Sequence, residues 1–180
     1  MKYFQITSLT LILISSLTFA NSLTSTGGVV KFTAVGKPGF LKIRGHSNDS
    51  FPTGAVQFKN GFAEGTFDFK LSDLDTGVSL RNDHMKEKYL EIEKYPNAKL
   101  SFNNIPIKNS ETDLAGDFNG TLILHNVTKV IHGKFDYSAK TKKLISNFDI
   151  KVSDFNIDIP KYLGVTVSET VEIEVTLNLN

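Results

Sequence analysis

The chain contains no cysteine and no tryptophan. Without cysteine there is no disulfide framework, thiolate metal site, cysteine nucleophile or lipidated N-terminal cysteine. Charge of one sign is lacking as well, since 20 basic side chains face 19 acidic ones for a formal net of +1. Neutralising a phosphate backbone needs clustered excess Lys and Arg, so the balance argues against an electrostatically driven nucleic-acid binder. Long apolar runs are missing beyond the first twenty residues, which leaves no later stretch able to span a bilayer. What is present is 40% hydrophobic residues, 14 of them phenylalanine, in 180 residues. That is enough to build one core and too short for two comfortable domains.

The N-terminus reads as an address. Met1-Lys2 is a short basic start, Ile6 to Leu17 carries no charge, and Thr18-Phe19-Ala20 offers small residues for cleavage before Asn21. This is the pattern of a secretory signal peptide, and the run is shorter than the ~20 residues of a membrane anchor. Its removal takes away Lys2 and brings the formal net charge to zero. The expectation is a signal peptide over 1–20 and a single domain over 21–180, exported, periplasmic or secreted, and not anchored in a membrane.

From Val29 onward the dominant period is two. In Val171-Glu172-Ile173-Glu174-Val175-Thr176-Leu177-Asn178-Leu179 every odd position is aliphatic and every even one polar. A strand with one buried and one wet face gives that alternation. The same parity groups Val30, Phe32 and Ala34, then Leu41 and Ile43, then Val56 and Phe58, with similar sets from Phe67 to Val152. Turn signals separate the runs at Lys37-Pro38-Gly39, Lys59-Asn60-Gly61, Asn126-Val127-Thr128 and Ser138-Ala139-Lys140. Asn60-Gly61 is the strongest hairpin signal, because both residues tolerate positive φ. Eight or nine strands are expected.

One segment breaks the rhythm. Met85 and Tyr89 stand four apart with Ile92 at seven, the spacing of a helix with one apolar stripe. Asn82 or Asp83 is placed to cap it and Pro96 to stop it, giving one short helix near 82–91. Many strands with one apolar face must close on themselves or pack as two sheets, and closure removes the exposed edges. The large side chains Phe32, Phe58, Phe67, Phe69, Phe102, Phe118, Phe135 and Phe148 share the apolar face. Parity alone leaves two readings of that face, a packed interior or the wall of a cavity.

Chemistry-bearing patterns are sparse. His46, His84, His125 and His132 lack the local spacing of metal ligands, and no G-x-S-x-G context accompanies Ser and His. Neither a metal, a cofactor nor a catalytic residue is expected. Arg81, Asp83 and His84 form the densest polar group. They suit a polar or anionic head group, or else Arg81 and Asp83 pair and fix a strand-to-helix turn.

The residues Asp75-Thr76-Gly77, Leu80-Arg81-Asn82-Asp83-His84-Met85, Tyr89-Leu90 and Lys94-Tyr95-Pro96 resemble the central signature of the YceI-like family of bacterial exported proteins. Gly120-Thr121-Leu122-Ile123-Leu124-His125-Asn126-Val127-Thr128-Lys129 is similar to that family's hairpin, with Asn126 in place of the usual glycine. Asp154-Phe155-Asn156-Ile157, Tyr162-Leu163-Gly164-Val165 and Val171-Glu172-Ile173 follow its C-terminal pattern. Two departures are visible: Asn82 is inserted between Arg81 and Asp83, and Gly27-Gly28-Val29 stands where a tryptophan often opens the family's first strand.

The resemblance implies an all-β, extended, lipocalin-like antiparallel barrel of about eight strands, holding a polyisoprenoid or another long-chain amphipathic lipid. On that reading the channel is lined by Phe32, Phe58, Phe67, Phe69, Leu100 and Phe102, and by Leu122, Leu124, Phe135, Phe148 and Ile150. Arg81, Asp83 and His84 stand at the head group. Strands of ~10 residues tilted near 40° give a barrel ~25 Å tall, which suits a chain of about sixteen to twenty carbons. The expected role is a non-catalytic carrier or store. Its partners would be a long-chain isoprenoid or fatty amphiphile, a membrane protein met transiently, and a second copy in a homodimer. The competing readings are a lipid-head-group enzyme using Arg81, Asp83 and His84, and a filled barrel that binds a protein partner.

Overall fold

Alternating side chains commit each apolar run to one face, and in a computed structural model of the chain those faces all turn inward around one axis. The structure describes residues 21–38, 41–48, 52–107, 111–162 and 164–180, so the signal peptide expected over 1–20 lies outside the described residues. The strands are β1 (Asn21–Lys37), β2 (Leu41–His46), β3 (Thr53–Lys59), β4 (Phe62–Lys70) and β5 (Asn97–Pro106). They continue with β6 (Leu114–Leu124), β7 (Val127–Ser138), β8 (Lys143–Lys151), β9 (Lys161–Tyr162) and β10 (Val165–Leu179). Each pairs antiparallel with its neighbours in the order β2-β1-β3-β4-β5-β6-β7-β8-β10-β9, and β10 returns to β1 to close the wall.

The closed wall has eight strands, although ten are formed among the described residues. The difference has two causes. β9 is a two-residue flap on β10. β2 and β3 share one position in the ring, because the 17-residue β1 pairs with β3 through Asn21–Thr24 and with β2 through Lys31–Gly36. The changeover falls at a bulge between Ser25 and Gly27, where Gly27 (φ 137) and Gly28 (φ 158) take backbone angles that a side chain would oppose.

Elsewhere the lacing is uneven: β7 and β8 pair only through Gly133–Ser138 and Lys143–Phe148, and the β5–β6 seam is shorter still. β5 and β6 pair only through Lys99–Phe102 and Gly120–Ile123, so the second half of β5 and the first half of β6 diverge.

Asn60 (φ 54) and Gly61 (φ 79) form the expected two-residue turn between β3 and β4. The β6–β7 turn is His125-Asn126 (φ 52 and 58), one residue earlier than the Asn126–Thr128 signal suggested, and Val127 already pairs with Leu124. The helix also starts early. An α-helical turn α1 (Ser79–Asp83) runs into a π-helical turn over His84–Tyr89, against the expected 82–91. Its N-cap is Val78, with no side-chain cap. Asn82 is not a cap, because its side chain is engaged by the preceding turn.

Parity held for every inward position, but height along the axis divides the interior in two. At one end Phe58, Phe67, Phe102, Phe118 and Phe135 converge and leave a void of only about 50 Å³. Phe67 stacks on Phe102 and Phe118 meets Phe148 edge to face, each with centroids 6.3 Å apart. At the other end the inward positions hold smaller side chains such as Val30, Ala34, Ile43, Ala98 and Val171, and a cavity of about 550 Å³ remains. Both readings of the phenylalanine face are therefore realised, at opposite ends.

Candidate functional site

The large cavity is formed where the strands run out. Its wall comes from the last residues of β1, β4, β6 and β8 and the first of β2, β5 and β10, with the helix completing it. Six of the expected channel residues, Phe32, Phe69, Leu122, Leu124, Phe148 and Ile150, line it. The other five, Phe58, Phe67, Leu100, Phe102 and Phe135, surround the small void at the opposite end. Phe69 and Val175 border both spaces and are the floor between them. The size of the rings explains this division: a phenylalanine pointed inward occupies the volume that an alanine or valine leaves vacant. The aliphatic wall of the cavity, including Val30, Ile43 and Ile173, gave no sign in the sequence that set it apart from ordinary core.

Polar groups enter the lining at few points, namely Lys70, Thr76, Arg81, His84, Tyr89 and Ser168. Arg81 and His84 come from the helix, as the sequence pattern proposed for a head group. Asp83 faces the other way, is exposed and is not part of the wall. The Arg81–Asp83 pairing considered from sequence is replaced by another contact. One Arg81 terminal nitrogen donates to the Thr76 carbonyl at 2.8 Å, while its Nε is buried and finds no acceptor in the protein. A buried N–H without a partner is costly, and an oxygen in the cavity would satisfy it.

The turn that presents Arg81 is braced by Asn82. Its Oδ1 accepts from the Thr76 amide (2.8 Å) and hydroxyl (2.7 Å), and its Nδ2 donates to Asp75 (2.7 Å). Asp75 also accepts from the Gly77 amide at 2.7 Å. The Asn82 bond, then the Gly77 amide, holds the Asp75 carboxyl below its ordinary value of 3.8. Asp75 in turn exchanges backbone bonds of 2.8 Å with His46 at the end of β2. The residue that departs from the family signature thus ties the helix start to the barrel rim.

A second fastening lies beyond the helix. His125, buried in the β6–β7 turn, places Nδ1 3.1 Å from the Phe155 carbonyl and Nε2 3.0 Å from Glu91, and Tyr95 meets its ring edge-on. A carbonyl and an ionised carboxylate only accept, so both contacts are filled when both ring nitrogens carry protons. Glu91 also binds Lys94, and that bond first, then His125, holds its carboxyl below the ordinary 4.5. A depressed carboxylate contributes stability above its unfolded pKa and loses it as pH falls through the lower folded value. The melting temperature of Glu91→Gln should therefore lie below that of the parent at neutral pH. The gap should close in acid below pH 4.5, as followed by circular dichroism in a pH series. Among the described residues no group of three or more His, Asp or Glu side chains is arranged to hold a metal ion. No described helix is long and apolar enough to cross a membrane.

Comparison with known proteins bears on the whole chain. The sequence model of one family, described as the YceI-like domain, matches residues 20–179. A polyisoprenoid binding domain from Saccharophagus degradans superposes with a TM-score of 0.65 at 18% identity, covering 88% of this chain and 97% of that one. Burkholderia cenocepacia BcnA gives 0.64 at 17% identity, covering 84% and 96%. A Campylobacter jejuni YCEI protein gives 0.50 at 16% identity, covering 97% of each chain. At these identities the likeness is one of fold. A search of curated protein sequences found no match.

Proposed function

The chain belongs to the YceI-like domain family, and from that premise we propose that it binds a long-chain isoprenoid or similar amphipathic lipid in the large cavity and carries or stores it without chemical change. The observation that carries this reading is a cavity of about 550 Å³ walled by aliphatic and aromatic side chains, with an arginine at the helix side. The similarity to a polyisoprenoid binding domain of Saccharophagus degradans points the same way. A methylene takes about the ~30 Å³ of a water molecule, so the space suits about eighteen carbons. At ~0.8 kcal/mol per buried methylene that is a gross ~14 kcal/mol, from which ordering and association remove a large part. The ligand's polar end lies at Arg81 and His84, and its tail ends at Phe69 and Val175. Export to the periplasm or beyond, transient contact with a membrane protein and pairing into a homodimer complete the proposed setting.

Organic extraction of protein purified from its native host, followed by mass spectrometry, tests the reading. One equivalent of a lipid with a long apolar chain is the expected yield. Empty protein that takes up no added isoprenoid or fatty chain overturns it. Arg81→Gln should weaken binding of an eighteen-carbon chain with an anionic head by about tenfold or more, the worth of a hydrogen bond to a charged group. Binding of the corresponding neutral alcohol should change far less, and fluorescence displacement measures both.

A further inference from the structure

Three of the exposed large apolar side chains also line the large cavity and so mark its mouth. Leu41 (55% exposed) opens β2, and Val78 (48%) and Leu80 (53%) flank the start of α1. The apolar interior thus continues without a break onto the outer surface. Isolated exposed leucines are ordinary, whereas a cluster ringing an apolar opening marks an interaction site.

The charge around that opening is one-sided on the strands. Lys37 is in register with Thr166, and Thr166 with Lys161, while Lys42 sits opposite Val35. Ala34 and Gly36 are buried, so the alternate positions Val35 and Lys37 and their register partners point outward. Lys37, Lys42 and Lys161 are all exposed. Acidic groups on the same strands are engaged or lie further from the rim: Glu174 binds Lys31 at 2.8 Å, Glu172 is opposite Thr33, and Glu169 accepts from Ser153. On the helix, Asp83 and Glu87 are matched by Lys86 and Lys88.

Off the strands, Asp158 lies between the lining residues Ile157 and Pro160, and Asp75, engaged by Asn82, lies beside Thr76, so the excess of lysine is confined to the strand side. An apolar rim with lysines on that side fits an anionic bilayer, into which apolar tips insert while ammonium groups stay among the head groups. A long lipid also needs such contact, because a tail crossing water as a monomer loses the same hydrophobic free energy that holds it in the barrel.

We infer that the rim of Leu41, Val78 and Leu80, with Lys37, Lys42 and Lys161 beside it, docks on an anionic membrane surface and seats the cavity mouth directly on the lipid. The inference rests on the cavity's reading as a lipid site. Flotation of the full chain with phosphatidylcholine vesicles, with and without phosphatidylglycerol, tests it. The protein should float with the anionic vesicles, less so at raised salt. Lys42→Glu/Lys161→Glu should weaken that association by about tenfold or more, and Leu80→Asp should abolish it. The lysine double variant should still bind a soluble fluorescent fatty probe as the parent does, which separates docking from cavity binding. Parent protein that floats with neither vesicle, or a lysine variant that floats equally well, overturns the inference, and in the first case leaves a protein partner for the rim. Flotation by protein whose cavity takes no probe sustains docking and overturns the carrier reading instead.

Discussion

Replacing Ala34 and Ala98 together by phenylalanine should leave a folded barrel that no longer takes up a long lipid. Both alanines are buried, both point into the large cavity, and they stand on opposite parts of its wall, in β1 and β5. Each substitution adds a six-carbon ring, about 100 Å³ of packed side chain, so the pair removes ~200 Å³, over a third of the 550 Å³ present. A tail of about eighteen carbons would lose room for about seven. Their gross contribution is ~6 kcal/mol, and if half of that is expressed in the measured affinity, binding falls by about 100-fold. Because the rings enter vacant space, the melting temperature should hold or rise, the reverse of ordinary overpacking. Titration with a fluorescent fatty probe and a thermal melt read both quantities. Undiminished binding would place the lipid somewhere other than this cavity. A collapsed melting temperature would mean that the space is an imperfectly packed core.

The second large effect falls on the backbone. Gly28→Ala should destabilise the fold by about 3 kcal/mol or more, a loss of about 10 °C in melting temperature for a chain of this size. The added Cβ would stand 2.0 Å from the Thr176 carbonyl oxygen and 3.0 Å from the Leu177 Cα, both main-chain atoms of β10. They cannot withdraw without opening the long β1–β10 ladder that closes the barrel. The φ of 158 at Gly28 adds strain whatever the space. Gly116→Ala is the matched control. Its Cβ would meet only the Phe135 ring at 3.5 Å, an ordinary contact, so the change should be neutral or slightly stabilising. Equal melting temperatures for the two variants would mean that the β1 bulge is not under the constraint its geometry describes.

How much of this was legible in the sequence follows from what period two encodes. Alternation states which face a side chain takes, and each inward assignment, from Val30 in β1 to Leu179 in β10, matches the structure. Alternation says nothing about height along the barrel. Phe67 and Phe69 are two residues apart on one face, yet Phe67 belongs to the plugged end and Phe69 to the floor of the cavity. Height depends on register, and register depends on turns that a single sequence locates only to within a residue, as His125-Asn126 shows. Asn82 was misleading for a related reason. An Asn before an apolar stripe is a good cap by composition, but here its amide bridges back to Thr76 and Asp75, six and seven residues upstream. The Glu91–His125 contact joins residues 34 apart, and no local spacing announces it.

The parted stretch between β5 and β6 gives the ring-filled end a purpose of its own. Where two strands are laced, backbone bonds keep water out. Where they separate past Phe102, that duty passes to side chains, and Phe102, Ile105, Leu114 and Phe135 gather around the small void at that end. The aromatic plug acts as caulking for a wall left ajar. A tail pressed against Phe69 therefore meets packed rings beneath it, and the caulking sets the depth to which it can sink.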